Sequence, residues 1–299
     1  MLAILAAIGA STIYGVNHTI AKGLMPIYIQ PFGFILLRVT GAALLFWLIS
    51  FWGPKEKISN SDWPRIVGCA IFGMVINMLL FFKGLSLSTP INSSVIITVS
   101  PILVLILAAI LIKEKITPLK IIGIIVGLGG ALTLILFSSA HTTNAPNIPL
   151  GNFFFIINAF SYGLYLILVK PLTAKYHPFT LMKWLFLFAI IINFPITISE
   201  FREVEWTSLP FEAIWKMGFV VLGTTFATYL LNIFALKELS ASTISAFIYL
   251  QPLIAIIFAV GTGADSLDTV KVVAALLVFA GVYMVTKKAK TSKPKPQDL

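Results

Sequence analysis

The residues able to do chemistry in this chain are sparse, mostly uncharged, and set inside long apolar runs. Tyr14, Asn17 and His18 stand in one run, Asn77 in another, and Ser94 and Thr98 in the next. Later runs carry Asn158, Tyr162 and Tyr165, then Tyr229 and Asn232, then Tyr249 and Gln251. Helical spacing puts Tyr14 with His18, and Asn158 with Tyr162, on shared faces. Such groups hydrogen-bond and stack; they do not break bonds. Aromatic rings with polar tips suit a small molecule that has an apolar body and polar ends. The alternative role for the same residues is to hold helices together through buried hydrogen bonds. Catalysis in this setting needs paired acids, a histidine cluster or a Ser/His set, and none occurs. His18, His141 and His177 lack metal-ligand spacing, so neither a metal nor a cofactor is expected. His18 alone has an ordinary pKa suited to proton coupling. It serves equally well as a neutral hydrogen-bonding group, so coupling stays open.

These residues need a scaffold, and composition says which. Hydrophobic residues make up 59% of the 299, and charged residues 11%. The mean hydropathy is +0.99. A water-facing domain carries roughly a quarter charged residues, so this chain cannot cover a globule of its size. The apolar runs approach the ~20 residues that a helix needs to cross a bilayer core. The reading is all-α integral membrane, with ten spans near 2–23, 32–52, 65–84, 92–112, 119–138, 150–169, 179–198, 213–235, 242–262 and 269–286. Met25-Pro26, Gly53-Pro54, Thr89-Pro90, Thr117-Pro118, His177-Pro178 and Leu209-Pro210 mark the joints. Most joints are short, so neighbours are antiparallel hairpins. Spans 1, 3, 4, 6, 8 and 9 hold most of the polar residues and are expected to line a cavity.

The net charge of +10 does not indicate nucleic acid, because its placement follows the membrane. With both termini cytoplasmic, fifteen Lys and Arg fall inside and five outside. Without the tail the bias is still ten to five. The acidic Glu200, Glu203 and Glu205 then lie outside, and the basic tail can rest on anionic lipid. The expected location is the plasma membrane.

The chain also repeats itself. Tyr14-Gly15 with Lys22 answers Tyr162-Gly163 with Lys170, and Gln30-Pro31-Phe32 answers His177-Pro178-Phe179. At one constant offset Ser94 meets Ser245, Pro101 meets Pro252, Glu114 meets Asp265, Lys120 meets Lys271 and Gly130 meets Gly281. The halves are 1–140 and 150–288, joined by a linker at 141–149 and followed by a basic tail at 289–299. Five spans per half invert the second half, giving two inverted five-helix repeats. That architecture places a substrate site near the midplane and permits alternating access. Pro101 and Pro252 are read as kinks within spans 4 and 9, each freeing a carbonyl or acting as a gate. Glu114 and Asp265 read as interfacial caps or gate pairs beside lysines. Arg38 is read first as snorkelling to the outer interface; contact with an anionic substrate is the alternative.

The residues that carry a family likeness are now in place. Tyr14-Gly15-Val16-Asn17 with Lys22, Arg38 early in span 2, Pro101 followed by Glu114, and Gly123 with Gly130 together resemble the EamA-type drug/metabolite transporters. Pro252, Asp265 and Gly281 echo the pattern, and the resemblance covers about 3–286. The family's usual Gly-Glu reads Lys113-Glu114 here, and Ala264-Asp265 in the second half. The resemblance implies a secondary transporter of small organic metabolites, often an exporter of amino acids, and not an enzyme. Nucleotide-sugar or lipid-linked cargo is the rival, but the inner spans supply only Arg38 as a cation. A channel or membrane-embedded enzyme is the rival from another class. The partners implied are a small-molecule substrate and the lipid bilayer, with the protein a monomer or homodimer. Gly123, Gly127, Gly129 and Gly130 form a small-residue face, read as close packing within one chain.

Overall fold

A computed structural model describes residues 1–22, 24–88, 93, 96–136, 146–261 and 269–287. Among them the chain is helix and turn, with no strand. Five helices are long and apolar enough to cross a membrane. They are α2 (Pro31–Ser50), α3 (Asn60–Leu87), α6 (Ile148–Lys175), α7 (Pro178–Arg202) and α8 (Phe211–Glu238). Shorter apolar helices stand between and beside them: α1 (Leu2–Lys22), α4 (Ser100–Leu111), α5 (Pro118–Leu136) and α10 (Thr269–Thr286). The ninth element, α9, runs from Ala241–Ala246 through a 3₁₀ turn at Phe247–Tyr249 into Leu250–Gly261. The protein is thus a multi-pass α-helical membrane protein.

The proline joints work as helix starts. Pro31 and Pro178 occupy first-turn positions behind extended residues Gln30 and His177. A first-turn proline lacks an N–H that would have no partner there anyway. Asn147 caps α6 by accepting from the Leu150 amide at 3.1 Å. Pro101 corrects the expectation of a kink inside a span. It sits in the first turn of α4, directly after a turn at Thr98 and Val99. Pro252 lies just past the 3₁₀ turn that interrupts α9. Neither proline breaks an interior hydrogen bond; each restarts a helix.

Two antiparallel pairs frame the packing. α2 lies along α7, and each end of the pair is pinned. Glu200, near the end of α7, accepts from the first amides of α2, Phe32 at 2.6 Å and Gly33 at 3.1 Å. Glu56, just past α2, accepts from the His177 amide at 2.8 Å, at the start of α7. Each carboxylate therefore meets the partly positive end of a helix. α5 lies along α10 in the same antiparallel sense. A Cβ on Gly281 would sit 2.5 Å from the Gly127 amide nitrogen and 2.6 Å from the Gly123 carbonyl oxygen. These glycines bring two backbones together within one chain, as expected, whereas Gly129 faces open space. Between the pairs, α1 packs on α8 and α9, and α6 packs on α3 and α4.

Candidate functional site

The site grows from irregular backbone. α3 carries a π-helical segment at Ile71–Ile76, and α8 carries one at Val220–Ala227. A π turn widens the helix, displaces its hydrogen-bond ladder, and is found often at functional sites. Side chains close the exposed carbonyls. The Ser161 hydroxyl donates to the Phe72 carbonyl at 2.7 Å, and the Tyr229 hydroxyl to that of Gly73 at 3.1 Å. Thr225 donates to the Val220 carbonyl within α8 at 2.9 Å. Gly73 admits the ring of Tyr165, since a Cβ there would lie 2.5 Å from Cδ2.

Arg38 reaches into this layer. Its residue exposure is 7%, so it does not snorkel outward, which corrects the first reading of the sequence. The reason lies across the helix pair. Its Nε donates to Thr225 Oγ1 at 3.0 Å, and its guanidinium carbon sits 5.3 Å from the centre of the Phe82 ring. Tyr14 and Tyr229 lie within its electrostatic reach. Thr228 is in hydrogen-bonding contact with Tyr14, and Thr224 donates to Asn17 Oδ1 at 2.9 Å. Ion pairs among the described residues join Glu114 to Lys120, Asp62 to Lys175 and Glu212 to Lys216. None includes Arg38. A buried guanidinium without an acid is costly unless something else supplies the negative charge.

The predicted residues divide around this layer. Tyr162, Tyr165 and Tyr229 form an aromatic chain, with centroid separations of 6.2 and 6.3 Å. The Tyr165 hydroxyl is buried and has no hydrogen-bond partner among the described residues. Asn77 and Asn158 instead clasp α3 to α6: each side-chain amide donates to the other's backbone carbonyl, at 3.4 and 2.6 Å. They act as the helix-joining residues the alternative describes. Asn232 and Gln251 are half-buried on α8 and α9, and Thr98 is buried. Tyr249 is fully buried against Gly127 of α5, and its hydroxyl has no hydrogen-bond partner among the described residues. Ser94, Asp265 and the side chain of His18 lie outside the described residues.

Sequence reasoning missed Phe82, Gly73 and the role of Lys170. Lys170 Nζ donates to the Leu236 carbonyl and, at 2.8 Å, to that of Leu239, capping the last turn of α8. The repeated Tyr-Gly…Lys motif was the available signal.

A second polar node joins the α4–α5 turn to the start of α9. Lys120 Nζ donates to Glu114 Oε1 at 2.8 Å, to Ser240 at 2.9 Å and to Ser242 at 3.1 Å. Ser242 also donates to Glu114. Burial pushes the Glu114 carboxyl up, but bonds from Lys120 and Ser242 outweigh it and hold it below the usual carboxylate range. Its second oxygen, Oε2, is buried without a hydrogen-bond partner among the described residues. Lys113 holds a left-handed backbone, φ 50°, at the position where glycine is at no steric disadvantage. A separate cavity of about 420 Å³, lined by Pro26 to Gln30 and by Glu200, Glu203 and Glu205, touches none of the predicted site residues.

Comparison with known proteins follows the same lines. The profile of the EamA-like transporter family matches residues 1–136 and 149–287. The uncharacterized transporter YyaM of Bacillus subtilis (strain 168) is 25% identical over 279 residues, covering 92% of this chain and 90% of its own. An uncharacterized transporter of Archaeoglobus fulgidus is 28% identical over 262 residues, covering 87% and 90%. A WAT1-related protein of Arabidopsis thaliana is 23% identical, covering 91% and 79%. A solved crystal structure shares the fold with a TM-score of 0.74 at 17% identity, over 95% of this chain and 96% of that one.

Proposed function

This chain belongs to the EamA-like transporter family, and from that premise we propose that it is a secondary carrier of small organic metabolites, working by alternating access. The two family matches flank the linker, in agreement with halves at 1–140 and 150–288. Ten spans in two inverted five-helix repeats account for the packing, in which α1 meets α8 and α9 while α6 meets α3 and α4. In this reading both termini are cytoplasmic, the membrane is the plasma membrane, and the direction is export of amino acids or similar compounds.

One observation carries the proposal. Each half has a π segment in its third span, Ile71–Ile76 and Val220–Ala227. Each also interrupts its fourth span just before a proline, Pro101 or Pro252. Broken and widened helices put backbone carbonyls at membrane depth, where they are tolerated if side chains meet them, as Ser161 and Tyr229 do in α3, or if they line a hydrated space, as in carriers with discontinuous helices. In this reading the four irregular spans flank the layer between the halves in which a carrier holds its cargo.

The test is uptake into proteoliposomes with labelled amino acids, with and without a pH gradient. Saturable uptake that falls several-fold in Asn17→Ala, Tyr162→Ala and Asn232→Ala, with folded protein retained, is the expected result. Labelling that puts the two termini on opposite sides would refute the inverted arrangement. A passive current unaffected by substrate would favour a channel.

A further inference from the structure

We infer that the end of α2 and the starts of α3 and α7 together hold the headgroup of one anionic phospholipid, with Lys183 as the anchor for its phosphate. The inference needs only that these helices span a bilayer, and it stands whether or not the chain is a carrier. Trp47 lies near the end of α2, Trp63 near the start of α3 and Trp184 in the second turn of α7. Their rings meet edge to face, Trp47 and Trp184 with centroids 5.5 Å apart and Trp63 and Trp184 with centroids 4.9 Å apart. Tryptophan favours the level of the headgroups, because its ring is apolar and its N–H polar. Lys183 Nζ sits in this cluster, 5.3 Å from the centre of the Trp47 ring and 5.9 Å from that of Trp184. Cation–π attraction holds the ammonium there, yet its three N–H donors still call for oxygen acceptors. Among the described residues no oxygen accepts from them and no ion pair includes Lys183.

The surroundings select an anion, and a lipid rather than a soluble one. Segments 51–65 and 170–184 meet at this end, and their acids are Glu56 and Asp62. Both are used within the protein. Glu56 accepts from the His177 amide at 2.8 Å, and Asp62 accepts from Lys175 at 3.0 Å and from the Tyr176 hydroxyl at 2.8 Å. Lys55, Lys57, Arg65 and Lys183 are left without an ion pair among the described residues, so this end carries an excess of positive charge. Leu44, Leu48 and, at the cap of α2, Phe51 are exposed and share one helix face, which Trp47 also borders. An acyl chain laid along that strip brings its own phosphate to the level of Lys183. A free phosphate would meet the charge and leave the strip bare. One ammonium balances one phosphodiester. In phosphatidylglycerol that negative charge is unopposed, whereas in phosphatidylcholine the lipid's own quaternary ammonium competes for it. In the orientation proposed above, the lipid belongs to the cytoplasmic leaflet.

The experiment uses the full-length protein with the exposed Trp52, Trp206 and Trp215 replaced by phenylalanine, so that fluorescence reports Trp47, Trp63 and Trp184. It is reconstituted in bilayers that mix phosphatidylglycerol with phosphatidylcholine, with brominated chains on one lipid or on the other. Bromine quenches tryptophan at close range, so the two quenching curves give the relative affinity of the cluster for each lipid. The parent should prefer phosphatidylglycerol about fivefold, as one lysine at the membrane surface allows. Most of that preference should persist in about 0.5 M salt, because a half-buried charge is screened less than an exposed one. Lys183→Gln should lose most of the preference, and Lys183→Arg, which keeps the charge, should retain it. Replacing Lys288, Lys290, Lys293 and Lys295 of the tail by glutamine should leave it unchanged, and excess inorganic phosphate should not displace the lipid. The site is overturned by the absence of a preference in the parent or by its abolition in high salt. It is equally overturned by an unchanged preference in folded Lys183→Gln, or by a larger loss in Lys55→Gln/Lys57→Gln, which would show diffuse attraction to the loop. Loss of the preference in the tail variant assigns it to the tail, and displacement by phosphate assigns a soluble anion; either result removes the inference.

Discussion

Glu114→Gln should unlock one face of the molecule, and the size of the effect can be worked from the contacts. Glu114 and Lys120 meet at 2.8 Å with side-chain exposures of 11% and 14%. Removing one partner of a buried pair costs about 3–5 kcal/mol. Two features reduce that here. The pair is not sealed from solvent, and Lys120 keeps hydroxyl acceptors on Ser240 and Ser242. A loss of about 2 kcal/mol is reasonable, which is roughly a 30-fold shift in an equilibrium at 1.4 kcal/mol per tenfold. The node ties the first half to the start of α9, so in a rocking carrier the loss falls on the state in which this face is closed. The assay is maleimide labelling of Ser245→Cys, a position buried one turn deeper, in a Cys69→Ser background. Glu114→Gln should raise the labelling rate about 30-fold, and Lys120→Met should do the same. The pH dependence follows from sign. A carboxyl depressed below its unfolded value, near 4.3, contributes stability above that value and loses it as pH falls through the lower folded value. The ratio of labelling rates between Glu114→Gln and its Glu114 parent should then stay flat between about pH 6 and about pH 8, because the thiolate fraction of the reporter cysteine cancels. Unchanged labelling in both variants, or slower labelling, would refute the gate.

Three further outcomes are expected. Lys113→Gly relieves a left-handed backbone and should stabilise the purified protein by about 1 kcal/mol, read as a higher melting temperature; a lower one would show that the lysine makes a compensating contact. Gly281→Ala forces a methyl onto the backbone of α5 and should cost about 1–3 kcal/mol, whereas Gly129→Ala, which meets nothing, should be neutral or slightly stabilising; equal effects would disprove the close approach. Burial and Lys237 push the His177 imidazole down against the opposing pull of Glu56. The unfolded chain then binds the proton first, so melting temperature should fall as pH drops below about 6.5, and His177→Asn should flatten that slope.

The sequence showed its helices more readily than their ends. Proline joints opened the helices where expected, because a first-turn proline is a strong local signal. α6 runs on to Lys175, beyond the span expected to close at 169, and the two lysines explain the difference. A lysine near an apolar run reads as the membrane edge, yet Lys170 caps α8 and Lys175 pairs with Asp62 at 3.0 Å. Their charges are met by partners too distant in sequence to be seen. The same holds for Arg38, whose Thr225 partner lies 187 residues away. The π segments left almost no trace: IFGMVI and VVLGTTFA read as ordinary apolar helix apart from Gly73 and Gly223. Polar residues were legible as inward-facing, but not which of them join helices. Asn77 and Asn158 resemble lining residues until their carbonyl partners are seen.

In the proposed carrier the two halves are alike in frame and unlike in charge. Matched irregularities in matched spans would let the halves exchange conformations at little cost, giving two end states of similar energy. A carrier built from fully matched halves would grip cargo without preferred orientation. Here a buried guanidinium comes from α2, its hydroxyl partner Thr225 and Tyr229 from α8, Phe82 from α3 and Tyr165 from α6. In the proposed carrier, cargo seated in this layer would touch α2, α3, α6 and α8 at once. Its binding energy would then depend on their relative position, and that dependence is the only means by which a ligand shifts a conformational equilibrium.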